Sequence, residues 1–355
     1  MLELHILGTS SSLPAQSREV SGSILETPNG IVVIDCGEGF QSRLAKHRKS
    51  LKAQNKKIKS SKISGILLTH GHLDHTWGLL PWLKSLALGG RQKSLFIAGP
   101  TSPQIIDALL DDNLIKTELS SVDLVNQYQM CWSFGAIKEE LGFDVDWYLT
   151  DGERWVSYTS KQTHLFSEIP GPISKMQIQP ILTSHSVPSC AWKISTPDRL
   201  GVFDREKAKN LPEETKKVLS SGEDVTYDDV KFLASDFRGP VRKGVSVIIS
   251  GDTAEQSINA SCDLLVHEAT YLSSHQSLAD QHLHSTAAGA ARTAKKIGAK
   301  HLALTHYSAR IDVVEALVHE ANQIQEGTIA CQDGDRLILD GEGELKHIPA
   351  LVNQE

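Results

Sequence analysis

The stretch Gly65-Ile66-Leu67-Leu68-Thr69-His70-Gly71-His72-Leu73-Asp74-His75 joins an apolar run to four potential metal ligands within six positions. The run reads as a buried strand, because a short uninterrupted apolar segment suits a strand covered on both faces. Where the chain stays extended beyond it, alternation points the imidazoles of His70 and His72 to one side. A following turn returns Asp74 and His75 to a second point nearby. Imidazole suits zinc, iron or manganese, and an added carboxylate favours an open hydrolytic site over a closed thiolate cage. A lone histidine is usually an ordinary core or surface residue. Four such ligands at this spacing are not.

The same arrangement recurs downstream. Ile181-Leu182-Thr183-Ser184 leads into His185, Val247-Ile248-Ile249-Ser250-Gly251 into Asp252, and Leu302-Ala303-Leu304-Thr305 into His306. Open sheets with helices on their faces gather active sites at the carboxyl ends of their strands. His70, His72, Asp74, His75, His185, Asp252 and His306 are therefore expected on one edge of one fold. Seven ligands exceed the needs of one zinc and suit a two-metal centre bridged by a carboxylate and a hydroxide. Taken singly, Asp252 or His306 reads equally as a turn cap; taken together the set does not.

Further stretches extend the pattern over nearly the whole chain. They are Gly8-Thr9-Ser10, Asp35-Cys36-Gly37-Glu38-Gly39 with Gln41, His185-Ser186-Val187-Pro188-Ser189, Ser250-Gly251-Asp252-Thr253, His267-Glu268-Ala269-Thr270, His284-Ser285-Thr286-Ala287, and Thr305-His306-Tyr307-Ser308-Ala309-Arg310. With Thr69 to His75, the set resembles the metallo-β-lactamase superfamily and, within it, the ribonuclease Z branch that matures transfer RNA 3′ ends. The metal motif alone indicates only the superfamily; the later stretches, in order, carry the branch.

The resemblance implies one metal on His70, His72 and His185 and another on Asp74, His75 and His306, with Asp252 bridging. Two divalent ions follow, zinc before manganese or iron. It also implies a metal-bridging hydroxide as nucleophile, with Asp74 orienting it, and His284 backed by Glu268 protonating the leaving oxygen. Residue chemistry agrees: a near-neutral imidazole can supply that proton, and a carboxylate can fix its tautomer. His267 and His282 compete for the role, and Ser285 or Thr286 is also a candidate N-cap for the alanine-rich helix 287–297. The implied substrate is precursor transfer RNA and the implied state a homodimer. The alternative is a related two-metal hydrolase of a small phosphodiester, lactone or sulfate ester. A metal-free scaffold is disfavoured because no ligand is missing, and a pure RNA-binding module because the chain is acidic.

The fold expected is α/β, an αββα sandwich of two mixed sheets flanked by helices, of the metallo-β-lactamase type. Strand-like runs fall at 2–7, 31–34, 66–68, 95–98, 176–182, 245–249, 264–266, 302–304 and 337–339. Helical patterns fall at 40–49, 79–88, 103–110, 287–297 and 313–324, and the alternation implies sheets covered by helices. One domain is expected over 1–345, with an insertion at about 112–172, an arm-like insertion at about 199–243 and a C-terminal tail at 346–355. The arm lacks a Gly-Pro-rich tip at Asn210-Leu211-Pro212-Glu213-Glu214, and Gly171-Pro172 precedes His185, so it cannot be that tip. In the loop Pro14-Ala15-Gln16-Ser17-Arg18-Glu19 the family prefers a basic residue and an asparagine; Arg18 is retained. Aromatics at Tyr128, Trp132, Trp147, Tyr148, Trp155 and Tyr158 read as the core of the first insertion or as base-stacking groups.

Charge and cysteine usage bound the rest. The net charge of -7 advertises no nucleic-acid binder, yet Lys46, Arg48, Lys49, Lys52, Lys56, Lys57, Lys59 and Lys62 cluster before the metal strand. They read as a solvated face or as a field drawing polyanions to the metals. Five cysteines stand without a CxxC pair and read as reduced thiols. With no basic leader at Met1-Leu2-Glu3-Leu4-His5-Ile6 and no membrane-length run, a soluble cytoplasmic protein is expected.

Overall fold

The computed structural model describes residues 1–15, 17–111, 119–159, 163–165 and 172–350, so Gln16, Gly171, part of the 112–172 insertion and the end of the tail lie outside the described residues. The chain forms two compact units, one of Met1–Ser195 with Val245–Glu355 and the other of Thr196–Gly244.

The larger unit holds two sheets. Edge to edge, the first runs Leu345–Ile348, Arg336–Leu339, Leu2–Gly8, Gly22–Thr27, Gly30–Cys36, Ile63–Leu67, Leu95–Pro100, Val145–Thr150, Arg154–Ser157 and Thr163–Leu165. Its centre, from Gly30–Cys36 to Val145–Thr150, is parallel, and both flanks are antiparallel. The second runs Ile329–Ala330, His301–Thr305, Leu264–Glu268, Ser246–Ile249, Ser189–Ser195 and Gln177–Thr183. Its first four strands are parallel and its last two antiparallel.

Three apolar clusters show how four layers stack. Along Gly30–Cys36, Val32 and Ile34 pack with Trp192, Val247, Ile249 and Val266 of the other sheet, whereas Ile31 and Val33 face helices. Each central strand therefore buries both faces, which is why these segments read as unbroken apolar runs. The outer face of the first sheet is covered by helices Phe40–Ala53, Leu79–Leu88, Pro103–Leu110 and Leu124–Ser133 through Phe40, Leu83, Ile106 and Tyr128. The outer face of the second carries Ala287–Ile297 and Glu315–Asn322 through Ala290, Ala294 and Leu317. The result is the αββα sandwich of two mixed sheets.

Local signals place the helix ends. Ser102 accepts from the amide of Ile105 and precedes Pro103, and Thr286 accepts from the amide of Gly289 at 3.0 Å, so Thr286 rather than Ser285 caps the alanine-rich helix. Gly298, at φ 68°, ends it in the left-handed conformation.

Residues 145–157 continue the first sheet rather than standing apart from it. Tyr128, Trp147 and Trp155 are almost wholly enclosed and belong to the core. The lysine run also takes a position that sequence proximity did not indicate. Lys57, Lys59 and Lys62 lie at the amino-terminal end of the strand Ile63–Leu67, whereas His70 follows its carboxyl-terminal end. They do not adjoin the candidate ligands, because adjacency along an extended strand is distance in space, about 3.3 Å per residue.

The smaller unit contains the helix Glu213–Ser221 and a two-stranded ribbon, Val225–Tyr227 with Val230–Phe232. Pro212 precedes the helix, and Glu213 and Glu214 in its first turn complement the helix dipole. The ribbon closes through Asp228 and Asp229, at φ 53° and 61°, the paired left-handed residues of a tight hairpin turn. Arg238 ties the unit together by donating to the carbonyls of Gly201 and Leu219 at 2.8 and 3.0 Å.

Candidate metal centre

The strand Ile63–Leu67 delivers its carboxyl end to the second sheet. Trp192 Nε1 donates to the carbonyl of Leu68 at 3.0 Å, and the amide of Cys190 donates to the carbonyl of Thr69 at 2.9 Å. The two sheets are thereby joined where the histidine motif begins. At Gly71 an added Cβ would fall 1.8 Å from the carbonyl oxygen of Val122, so only glycine fits between the motif and the chain before Leu124–Ser133. Gln127 from that helix donates to the carbonyl of Gly71 and pins the turn.

Two four-residue groups result, each with ligand atoms within 4.8 Å of one another: His70, His72, His185 and Asp252, and Asp74, His75, Asp252 and His306. Asp252 belongs to both. Its Oδ1 lies 3.2 Å from His75 Nε2 and 3.1 Å from His306 Nε2, and its Oδ2 lies 3.7 Å from His70 Nε2 and 3.9 Å from His185 Nε2. One oxygen serves each group. Asp74 Oδ2 stands 3.5 Å from His75 Nε2 and 3.6 Å from His306 Nε2.

The ring nitrogens that converge are set by what holds their opposite edges. His75 Nδ1 meets Asp35 Oδ2 at 2.7 Å, His185 Nδ1 meets the carbonyl of Leu283 at 3.1 Å, and His306 Nδ1 meets Thr270 Oγ1 at 3.0 Å. A proton on each Nδ1 leaves the Nε2 lone pair facing inward, the arrangement of a metal-ligating imidazole. Inward nitrogens then approach one another at 3.0 Å (His70 Nε2 to His72 Nδ1), 3.2 Å (His185 Nε2 to His72 Nδ1) and 3.4 Å (His75 Nε2 to His306 Nε2). Lone pair against lone pair repels unless a cation lies between. With metal–nitrogen bonds of about 2.1 Å the edge of a tetrahedron is roughly 3.4 Å, which these separations match. Asp252 Oδ1 is buried and accepts no hydrogen bond from the described residues, another mark of a place for a cation.

Electrostatics point the same way. Burial, then the neighbouring imidazoles, hold His70 well below its ordinary range, and burial first also lowers His72 and His185, so all three are neutral. Burial opposes charge on Asp252, yet His306, His75 and His70 keep it ionised well below the usual carboxylate range. Burial likewise opposes charge on His75, but Asp252, Asp35 and Asp74 outweigh it and push the imidazole well up, so the carboxylates that favour a second proton at its Nε2 would equally favour a metal cation in that proton's place.

Beside the two groups stand His284 and Glu268. Glu268 is 1% exposed and its Oε1 lies 2.8 Å from His284 Nδ1. Its Oε2 accepts from the amide and hydroxyl of Thr270 at 3.1 and 2.7 Å. One carboxylate thus fixes His284 directly and His306 through Thr270. Burial works against the imidazolium of His284, but Glu268 and then Asp252 raise it to about 9. Strand alternation sends His267 to the opposite face, fully enclosed and 2.8 Å from the carbonyl of Glu268, while His282 is exposed at the end of Gln276–His282.

Several supporting groups had no role assigned from sequence. Asp35 accepts from the Thr69 amide and hydroxyl at 2.8 Å each while holding His75. Thr69, Thr270, Gln127 and the carbonyl of Leu283 complete the frame. Asp35, Thr69 and Thr270 fall inside the stretches that carry the family resemblance, whereas Gln127 and Leu283 lie outside them. Arg18 turns inward: it donates to the carbonyl of Ile311 at 2.8 Å and lies over the Tyr307 ring, bracing the segment after His306. Asp35 and His306 take φ of 58° and 61°, uncommon left-handed values for residues with a Cβ, both within this centre.

Gly251 offers a test of this framing. Its φ is 59° and an added Cβ would lie 2.5 Å from Thr69 Cβ. Gly251→Ala is expected to lower stability by about 1–3 kcal/mol through backbone strain and the displaced Thr69. Metal affinity is expected to drop about 10- to 100-fold, as when supporting groups are disturbed. Thermal melts with metal titration read both, and an unchanged affinity would show that Asp252 is positioned without this glycine.

Residues 18–89 match the profile of the metallo-beta-lactamase superfamily. The chain is 30% identical over 348 residues to a ribonuclease Z of Prochlorococcus marinus (strain MIT 9301), covering 94% of this chain and 98% of that protein. It is 29% identical over 349 residues to a ribonuclease Z of Bacillus licheniformis, covering 94% and 97%. In fold it resembles the short form of human tRNase Z, with TM-score 0.58, 19% identity and coverage of 95% and 99%. It also resembles the metallo-beta-lactamase fold protein YhfI of Bacillus subtilis, with TM-score 0.56, 16% identity and coverage of 94% and 98%.

Proposed function

The chain belongs to the ribonuclease Z family of the metallo-β-lactamase superfamily, and from that premise we propose that it is the endonuclease that removes 3′ trailers from precursor transfer RNA. It is a metal-dependent hydrolase. The observation that carries the substrate reading furthest is the placement of the His284–Glu268 pair, 2.8 Å apart, beside two ligand groups that share Asp252. Cleavage of a phosphodiester needs a nucleophile on one side and a proton for the departing alkoxide on the other, and both are provided for.

His70, His72 and His185 with one oxygen of Asp252 would hold one divalent ion, and Asp74, His75 and His306 with the other oxygen a second. When bound, such ions supply an activated water and neutralise charge on the scissile phosphate. The protein's own part is then definite. Asp35, Thr69, Thr270 and the Leu283 carbonyl keep the imidazoles in the ligating tautomer. Asp74 presents a carboxylate beside His75 and His306, from which it can orient the attacking water. His284 keeps its proton at neutral pH because Glu268 stabilises the imidazolium, and it delivers that proton to the ribose oxygen, leaving a 3′-hydroxyl on the RNA body.

Zinc is the ion proposed first, because a donor set of imidazoles and carboxylates at these separations suits it. The homodimer and a cytoplasmic location are proposed on the family assignment. Among the described residues no helix is long and apolar enough to cross a membrane. The small-ester alternative is not favoured, since the named nuclease relatives align along 94% of the chain.

The test is cleavage of a precursor transfer RNA with a 3′ trailer by metal-analysed protein, beside a small chromogenic phosphodiester. Metal-dependent cutting next to the discriminator base is the expected result. Turnover of the small ester alone would keep the chemistry and overturn the substrate.

A further inference from the structure

The lysines that sequence proximity had associated with the metals occupy a different place, and it has properties of its own. A cleft of about 670 Å³ lies where Gly30–Cys36, Ile63–Leu67, Leu95–Pro100 and Val145–Thr150 begin, opposite to the end at which the candidate ligands gather. Lys57, Lys59, Lys62 and Lys93 line it, all exposed, and none has an ion-pair partner among the described residues. Lys56, by contrast, is already paired with Glu3.

The acidic groups on the same cleft do not cancel this charge. Glu26 lies 3.1 Å from His5 Nε2 and also acts on Lys62, and Asp146 is the other carboxylate, so two carboxylates face four lysines and Arg91. Arg91 is a strut: it donates to the carbonyls of Ile63 and Ser94 at 3.0 and 2.7 Å and so holds the rim in shape. Four ammonium groups without a close ion pair among the described residues, on one cleft of a protein with net charge -7, form a concentrated field of the minority sign.

We propose that this cleft is a docking surface for the phosphate backbone of the RNA substrate, remote from the metals and separate from the chemistry. The proposal rests on the RNA reading above only for the identity of the polyanion. The lysines sit on the order of 20 Å from His70 along an extended strand, so they cannot touch the scissile phosphate. A mononucleotide cannot span both ends, whereas a folded RNA can. Lysine ammoniums on flexible stems act as point charges and read backbone phosphate rather than base identity. The surface therefore contributes affinity without sequence preference.

The experiment reverses the four charges (Lys57→Glu, Lys59→Glu, Lys62→Glu, Lys93→Glu) in the metal-loaded full chain, with the four Lys→Gln substitutions as a milder second variant. Equilibrium binding of an uncleavable precursor transfer RNA is measured against salt. The expected result is affinity at least about tenfold weaker near 0.1 M salt, and a slope of log Kd against log salt shallower by about 3, since each phosphate contact carries roughly 0.7–0.9. KM rises, while kcat and turnover of the small chromogenic ester stay unchanged. Unchanged RNA affinity and slope in both variants overturn the docking surface and leave the nuclease assignment intact. If the wild type neither binds nor cuts RNA but loses heparin binding with the lysines, the substrate reading has failed and the polyanion surface stands. Loss of binding to phosphatidylserine vesicles with RNA affinity unchanged would assign the surface to membranes and overturn the proposal.

Discussion

Replacing Asp252 with alanine is expected to reduce cleavage of precursor transfer RNA by about a thousandfold or more, equivalent to ~4 kcal/mol of lost transition-state stabilisation. The reason lies in its two oxygens. Oδ1 faces His75 and His306, and Oδ2 faces His70 and His185, so one substitution removes a donor from both groups. It also removes the anion that offsets His75 in an enclosed environment. Metal analysis after dialysis should show fewer than two bound equivalents. Asp252→Asn sharpens the test, because asparagine keeps the shape and one carbonyl oxygen but no charge. Two retained metals and full activity in either variant would sink the shared-carboxylate arrangement.

Removal of the proton donor should look different. His284→Ala is expected to lower kcat on precursor transfer RNA by about 100- to 10,000-fold, the range for loss of general acid catalysis, with metal content unchanged. The diagnostic contrast is the leaving group: a nitrophenyl phosphodiester departs without a proton, so its turnover should change little. Glu268→Gln should give part of the same loss, since glutamine neither stabilises the imidazolium nor serves the Thr270–His306 link as well. The pH profile gives an independent reading. Burial, then Glu268, set the acidity of His284, with the carboxylate prevailing and raising it to about 9. The donor is therefore protonated at neutral pH, and rate is lost as pH rises through that value, or through a lower one when bound dications add their positive charge. The alkaline limb should vanish in His284→Ala. Equal losses on both substrates would make His284 a structural residue instead.

Much of the scaffold was legible because each central strand is buried on both faces. Such strands write themselves as apolar runs, and the runs at 31–34, 95–98, 264–266 and 302–304 coincide with strands of the two sheets. The strands that escaped notice carry mixed faces. Ser189–Ser195 alternates Trp192 and Ile194 with Lys193 and Ser195, and Arg154–Ser157 is short and begins with a charged residue. Helix Leu124–Ser133 was hidden by polar positions such as Gln127, which is buried because it holds the Gly71 carbonyl.

By itself the sequence determined the αββα class and the donor chemistry of the site. Residue types and their position after apolar runs are local properties, and a strand end is where an open sheet presents its functional groups. Which donors share a centre came from the family resemblance alone, because residue types and spacing leave the grouping open. That Asp252 faces both groups, that Asp35 and Thr270 orient histidines 40 and 36 residues away, and that Leu283 supplies a carbonyl to His185 are outcomes of packing two sheets face to face. Nor could the sequence show that lysines a few residues before His70 stand at the far end of the strand. Chain proximity and spatial proximity part company wherever the backbone is extended, and only the tertiary fold decides which of them a charge obeys.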